Sequence, residues 1–352
     1  MKRFLTVTLA AAMALTMAGC SGSADATYMN PVFSPVFADP CIIRGDDGYF
    51  YAYATEDYGC FGEEDKVACV PIIKSPDMVK WEYVGDVFSE ENKPDWGDST
   101  AGAWAPDIIK IGDKYNLYYS LSVWNDKNPG IGVAVADHPA GPWTDKGMVL
   151  NTKTSGVKNS IDSFTFEYEG GVYMIWGSFY GIYMVELTGD GLQVKDMATK
   201  TLIGGTEGSC AFEGSYMIER EGTYYLFLSL GHCCQGIDST YYVNVVKSSS
   251  PFGPWVDREG KTLLGKKTLG ELVVKSGTEV TGPGHNAVIK DDAGDYWIVY
   301  HGYEVKYTLG HYGSSPRRSL FIDKLQWDED GFPYVDGYAA SYNKINAPVI
   351  KK

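Results

Sequence analysis

Residues able to carry acid, base or metal-ligand chemistry stand at the head of five similar stretches of this chain: Asp39, Asp107, Asp162, Glu213 and His285. Four of the five are carboxyls. Carboxyls gathered in one pocket can be pushed into opposite protonation states, one ionised to accept a proton and one protonated to donate. Each has a plainer use on its own, since Asp before Pro starts turns and an acid at a strand start caps backbone N–H groups. Recurrence argues otherwise, because inward strands of a narrow channel should be apolar unless their carboxyls are used. The weight falls on Asp39, Asp162 and Glu213 more than on Asp107.

The stretches themselves read ADPCIIRGDDGYFYAYAT from Ala38, APDIIKIGDKYNLYYSLS from Ala105, SIDSFTFEYEGGVYMIWGSF from Ser160, FEGSYMIEREGTYYLFLSLG from Phe212 and GHNAVIKDDAGDYWIVYHGY from Gly284. Each holds two apolar, aromatic-rich runs flanking a Gly/Asp turn, which predicts a hairpin. Between them recur IIKSPDMVKWEYVG, GVAVADHPAGPWTDKG, NVVKSSSPFGPWVDREG and IDKLQWDEDGFPYV, a second unit with its own strand pattern. Two strands plus two strands make a blade, and intervals of roughly 50 to 70 residues are those of a bladed or solenoid array. With 41 Gly, 16 Pro and 26 Tyr, and no amphipathic helix after the N-terminus, the chain is predicted to be all-β. The expected fold is a five-bladed β-propeller with an active site in its central channel, where the first strand of every blade brings its leading residue to one end of the axis.

The N-terminus carries Lys2-Arg3, an apolar run to about Met17 and then small residues, the pattern of a bacterial export signal that is too short to span a membrane. Met17-Ala18-Gly19-Cys20 is similar to a lipobox, which makes Cys20 the expected lipidation site; cleavage after Ala26 is the alternative that releases a soluble protein. The expected organisation is a lipoprotein-type signal peptide over 1–20, a tether over 21–32 and the propeller over 33–352. The protein is then lipid-anchored in the periplasm or on the outer membrane, and meets membrane only through that anchor. A formal charge of −15 argues against nucleic acid and against acidic pectin as ligands, and leaves neutral glycans. Of seven cysteines none shows zinc-ligand spacing. Cys60 and Cys69 form either a disulfide or buried free thiols. Oligomeric state is not legible.

The motifs WAPDI, SID followed by WGSFYGIYMVEL, FEGSYMIEREGTYYLF, CCQGIDSTYYVNVVKSSSPFGPWVDREG and GPGHNAVI together resemble glycoside hydrolase family 43, and within it the endo-1,5-α-L-arabinanase and α-L-arabinofuranosidase group. The resemblance covers essentially the whole chain after the leader. It implies that Asp39 is the general base, Glu213 the general acid and Asp162 the residue that orients and tunes the acid. That division is the one an inverting glycosidase needs, with no covalent nucleophile. The implied activity is hydrolysis of α-L-arabinofuranosyl linkages, above all internal cutting of α-1,5-arabinan, and the partner is a neutral plant cell-wall polysaccharide or oligosaccharide. No cofactor is required for that chemistry. In similar enzymes the histidine at the position of His285 approaches a water-coordinated cation, so a structural calcium near His285 is an expectation that one imidazole among oxygens would serve only weakly.

Sugar rings need flat apolar platforms, for which Trp104 and Phe179 are the candidates, while Arg318 offers a rigid donor fork to sugar hydroxyls. His301 and His232 are read as structural or outer-pocket residues. Three departures from the arabinanase pattern, ADP, SIDS and EGSY, keep the acids but alter their surroundings. They leave open an exo-acting α-L-arabinofuranosidase or a β-xylosidase, and, in another class, a glycan-binding propeller without activity.

Overall fold

The computed structural model describes residues 26–58, 66–307, 311–312 and 315–351. Five four-stranded antiparallel sheets follow one another along the chain, each built from one contiguous segment with its strands in sequence order. Blade 1 comprises Cys41–Arg44, Phe50–Tyr53, Pro71–Ser75 and Glu82–Asp86. Blade 2 comprises Gly102–Ile111, Lys114–Ser122, Gly130–Ala136 and Thr144–Asn151. Blade 3 comprises Phe164–Tyr168, Gly171–Trp176, Ile182–Leu187 and Thr201–Gly204. Blade 4 comprises Phe212–Arg220, Thr223–Leu230, Tyr242–Ser248 and Glu271–Val274. Blade 5 comprises Val280–Lys290, Tyr296–Glu304, Arg318–Trp327 and Pro333–Val335. First strands of neighbouring blades touch in a closed circuit, from blade 1 through blade 5 and back, so they line the axis. The expected five-bladed propeller is the fold.

Turn chemistry sets the inner hairpins. Arg220 pairs with Thr223 and Tyr168 with Gly171, leaving Glu221-Gly222 and Glu169-Gly170 as two-residue loops in which both residues have positive φ. That is the turn whose twist matches a hairpin, and glycine at its second position carries no Cβ to strain it. One outer unit departs from expectation: after Tyr242–Ser248 the PFGPW segment turns away, Val256 makes a single bridge to Lys247, and the fourth strand of blade 4 arrives only at Glu271.

The core is divided among the five junctions between blades. Alternate residues of one strand serve different junctions: Tyr51 and Tyr53 pack against Ala103, Leu117 and Tyr119 of blade 2, whereas Phe50 and Ala52 pack against Ala287, Val299 and Leu320 of blade 5. Both faces of such a strand are buried, which is why its sequence reads as a continuous apolar and aromatic run and not as an alternation. The remaining junctions are filled in the same way by separate apolar clusters.

Because no strand is exchanged between blades 5 and 1, closure of the ring falls to the N-terminal segment. Val32 N–H donates to Leu320 O at 2.9 Å and Phe37 N–H to Arg318 O at 2.7 Å. The Asn30 side chain donates to Ile322 O at 2.8 Å and accepts from Ile322 N–H at 3.0 Å, while Thr27–Tyr28 pairs with Ile345–Asn346. Residues 27–32, expected to be tether, therefore belong to the folded domain: their buried Tyr28 and Asn30 supply the hydrogen bonds that seal it. Cys20 and Cys60 lie outside the described residues, and Cys69 is a buried thiol.

Candidate active site

At the mouth of the channel the backbone repeats itself five times. Asp39, Ala105, Asp162, Gly214 and His285 all have φ between 40° and 60°; Asp39 and Asp162 stand two residues before the first strand of their blade, and Ala105, Gly214 and His285 lie at a register irregularity within it. Four of them are not glycine, so each carries left-handed strain of about 1–3 kcal/mol, a cost usually found where side chains must be aimed for function. Each N–H is held from the preceding blade. Ala105 donates to Thr55 Oγ1 at 2.8 Å, Asp162 to Ser120 Oγ at 3.0 Å and His285 to Ser229 Oγ at 2.8 Å. Asp39 donates instead to His301 Nδ1 at 3.0 Å, and Gly214 to Asp162 Oδ2 at 3.3 Å. The collar residues sit at matching places in or just after the second strands, in AYAT, LYYS, WGS, FLS and VYH; Ser178, the blade 3 member, uses its hydroxyl on Glu213.

This ring corrects one expectation. Asp107 is not the blade 2 counterpart of Asp39, since Ala105 holds that position and Asp107 lies two residues further down the strand. Its Oδ2 accepts Thr165 N–H at 2.7 Å, pinning blade 2 to blade 3, and burial pushes its carboxyl up to about 7.

Asp39 stands among donors and a cation. Thr55 Oγ1 donates to its Oδ2 at 2.6 Å, and Arg318 Nη1 reaches its two oxygens at 3.4 and 3.3 Å. His285 Nδ1 and His301 Nδ1 lie 3.6 and 3.3 Å from Oδ1. Burial alone would raise this carboxyl, but Arg318 overrides it and holds Asp39 well below the usual carboxylate range. Burial takes His285 down to about 4 and also lowers His301, so near neutral pH the guanidinium is the permanent cation on Asp39. Expected on sugar hydroxyls, Arg318 is thus spent on the carboxylate, with Asp57 at 3.6 Å on its far side.

Glu213 and Asp162 stand in the opposite environment. Glu213 Oε2 accepts from Ser178 Oγ and Oε1 from Tyr241 Oη, both at 2.7 Å. Both carboxyls are buried, and burial is the main reason that both are raised; Glu213 then raises Asp162, and Asp39 raises Glu213. Burial and mutual repulsion thus both favour the protonated form of this pair. The two hydroxyls favour charge on Glu213, whereas Asp162 accepts one backbone N–H.

Trp104 is half-buried immediately before Ala105, its ring 5.5 Å from that of Trp124, which is 73% exposed. Phe179, with φ 58°, donates its N–H to Phe212 O at 2.9 Å and accepts from Cys210 N–H at 2.8 Å, bracing the strand that carries Glu213. Sequence reasoning missed Trp124, Thr55, Ser178 and Tyr241, and read His301 as peripheral. The readable signal for His301 was its alignment with Thr55, Ser120, Ser178 and Ser229, where an imidazole replaces a hydroxyl.

The residues present do not fit a calcium site at His285. Its Nδ1 faces Asp39, and among the described residues no group of three or more His, Cys, Asp or Glu is placed to hold a metal. Calcium is ordinarily held by six to eight oxygens including carboxylates.

An all-β propeller with one ionised and one protonated carboxyl site at the end of its axis is the architecture of a glycosidase acting by proton transfer. The chain belongs to the glycosyl hydrolases family 43, whose pattern it matches over residues 28–333, and it is an enzyme that hydrolyses O-glycosyl bonds. It is 31% identical to an extracellular exo-α-(1→5)-L-arabinofuranosidase of Cellvibrio japonicus over 76% of this chain and 80% of that protein. It is 28% identical to an extracellular endo-α-(1→5)-L-arabinanase of Bacillus subtilis over 94% of this chain and 97% of that one. The solved α-L-arabinanase of Cellvibrio cellulosa, in complex with arabinohexaose, superposes with a TM-score of 0.71 at 28% identity, covering 87% of this chain and 98% of the other.

Proposed function

We propose that this enzyme cleaves α-1,5-linked arabinofuranosyl bonds by single displacement, with Asp39 as general base, Glu213 as general acid and Asp162 holding the proton balance of the acid. The observation that carries the reading is the split at the channel mouth: Arg318 keeps Asp39 ionised, while burial keeps a proton on the Asp162 and Glu213 pair. An ionised carboxylate can draw a proton from water as that water attacks the anomeric carbon, and a protonated carboxyl can donate to the departing oxygen. No step needs a nucleophilic side chain. Trp104, with Trp124 beside it, offers apolar faces to furanose rings, and Phe179 sets the approach to the acid.

Arabinan as substrate is supported by the names of the relatives, and internal cutting by the breadth of the match to the Bacillus endo-arabinanase. Linear α-1,5-arabinan should lose viscosity early and yield oligosaccharides before arabinose, with the β-anomer appearing first by proton NMR. Arabinose as sole early product would replace the endo reading with an exo one, and early α-anomer would overturn single displacement. The leader and the extracellular relatives support export, and Cys20 is the proposed lipid attachment site. A Cys20→Ala change should then move the protein from the membrane to the soluble fraction; unchanged membrane association would remove the anchor.

A further inference from the structure

Next to Asp39 lies a pair of groups the hydrolysis does not use. Cys233 and Cys234 are half-buried, their sulfurs are 2.6 Å apart, and Cys234 Sγ accepts from Arg318 Nη1 at 3.7 Å, the same nitrogen that holds Asp39. They ride on a loop closed on itself: Thr240 N–H donates to His232 O at 3.0 Å, His232 N–H to Thr240 Oγ1 at 3.1 Å and Gln235 N–H to Ser239 Oγ at 2.9 Å. Cys234 has φ 65°, an uncommon conformation for a residue with a side chain. The loop therefore presents two thiols side by side against the guanidinium that sets the state of the base.

We propose that Cys233 and Cys234 form a reversible dithiol–disulfide site, oxidised by exchange with a disulfide of the exported compartment, and that its state sets how Arg318 is shared between sulfur and Asp39. Cys234 is the attacking sulfur: it is the one that faces Arg318, and its thiol is lowered by the contact with Cys233 and by the guanidinium, while that of Cys233 is raised. Its thiolate attacks one sulfur of the incoming disulfide and expels the first thiolate, forming a mixed disulfide. Deprotonated Cys233 then attacks Cys234 Sγ and expels the second. Two electrons pass to the incoming disulfide, and the two protons leave on its thiols.

Adjacent Cα atoms are about 3.8 Å apart, closer than the roughly 4.4–6.8 Å that disulfides ordinarily bridge. The ring so formed is strained and correspondingly easy to reduce, which suits a responsive site better than a permanent staple. Oxidation takes the Cys234 sulfur that accepts from Arg318 into a disulfide, a weaker acceptor for the guanidinium. The guanidinium then acts more fully on Asp39, and a less basic carboxylate is a slower general base.

The full-length enzyme should be compared after glutathione disulfide and after dithiothreitol. The oxidised sample should lose two alkylatable thiols, both mapped to a Cys233–Cys234 peptide lighter by two hydrogens; it should show a lower kcat with little change in KM, and recover with dithiothreitol. Phenylarsine oxide should protect the reduced pair alone. Cys234→Ser, which lacks the attacking sulfur, should turn over substrate and no longer respond to glutathione disulfide, while buried Cys41, Cys69 and Cys210 stay unmodified throughout. A glutathione adduct that stays on Cys234 of the unsubstituted enzyme, thiol loss without a change in kcat, or an equal response in Cys234→Ser would each overturn the proposal. The kinetic half rests on Asp39 being the base, but the mass of the peptide does not depend on substrate, so failure of one reading is distinguishable from failure of the other.

Discussion

The blade 5 and blade 1 side of the channel mouth and the blade 3 and blade 4 side share one backbone template and do opposite things with it. Both present a carboxyl on a residue with positive φ or directly before one, and both anchor that residue from the neighbouring blade. On the first side the neighbours are a guanidinium and a hydroxyl donor, and the carboxyl is forced to ionise. On the second the neighbours are another carboxyl and two hydroxyls in a buried setting, and a proton stays. Fold symmetry thus supplies position, and departures from symmetry supply chemistry. His301 is such a departure: it replaces a collar hydroxyl, takes the Asp39 N–H and stacks on Tyr241, centroids 5.8 Å apart and planes within 11°, so that one ring contacts the holders of both carboxyls.

The largest effects should come from removing the two carboxyls. Asp39→Asn and Glu213→Gln should each lower kcat on arabinan by about 10²- to 10⁴-fold with folding intact. The two sides then separate by leaving group. An aryl arabinofuranoside whose phenol needs no proton should recover much of the Glu213→Gln loss and little of the Asp39→Asn loss; equal recovery would erase the assigned difference.

Next is the cation. Arg318→Met removes the charge that keeps Asp39 below the usual carboxylate range, so the base protonates at higher pH and the acidic limb of kcat/KM should move upward. An unmoved acidic limb would show that Arg318 does not set the base. On the other side, Tyr241→Phe and Ser178→Ala each delete a donor that favours charge on Glu213. A hydrogen bond to a charged group contributes about 1.5–3 kcal/mol, equivalent to roughly one to two pH units. The alkaline limb should therefore rise by about that much in each variant; a fall would contradict the assignment.

Much of this was legible before any coordinates. The hairpin runs and Gly turns repeat because every blade buries both faces, and Asp39, Asp162 and Glu213 stood out as acids at inward strand starts. Asp107 misled for a physical reason: the ring is fixed by backbone φ, and Ala105, with no chemistry of its own, occupies the blade 2 place. The partners that divide the two sides were not readable. Arg318 reaches Asp39 across 279 positions of sequence, where ring closure brings blade 5 to blade 1, and Tyr241 reaches Glu213 across 28, within blade 4 but past an intervening strand. The tether was drawn too long because Tyr28 and Asn30 look like any polar segment until Ile322 meets them.

Asp107 provides the smallest effect and a control for both sides. Its folded value of about 7 against an ordinary 3.8 means that the native state holds a proton the unfolded chain has released. Stability from this group is therefore present at acid pH and is lost as pH rises between those values. Asp107→Asn should flatten the dependence of Tm on pH over that window and leave both limbs of the activity profile in place. A moved limb would bring Asp107 into the site.

What separates the two sides is protonation: a bare carboxylate at Asp39 and a proton on the Asp162 and Glu213 pair at the same pH. Neutron diffraction from crystals equilibrated in heavy water near neutral pH locates those protons directly. The expected map has no deuterium on Asp39 and one deuterium on the Asp162 and Glu213 pair; deuterium on Asp39, or a pair with none, would contradict that division.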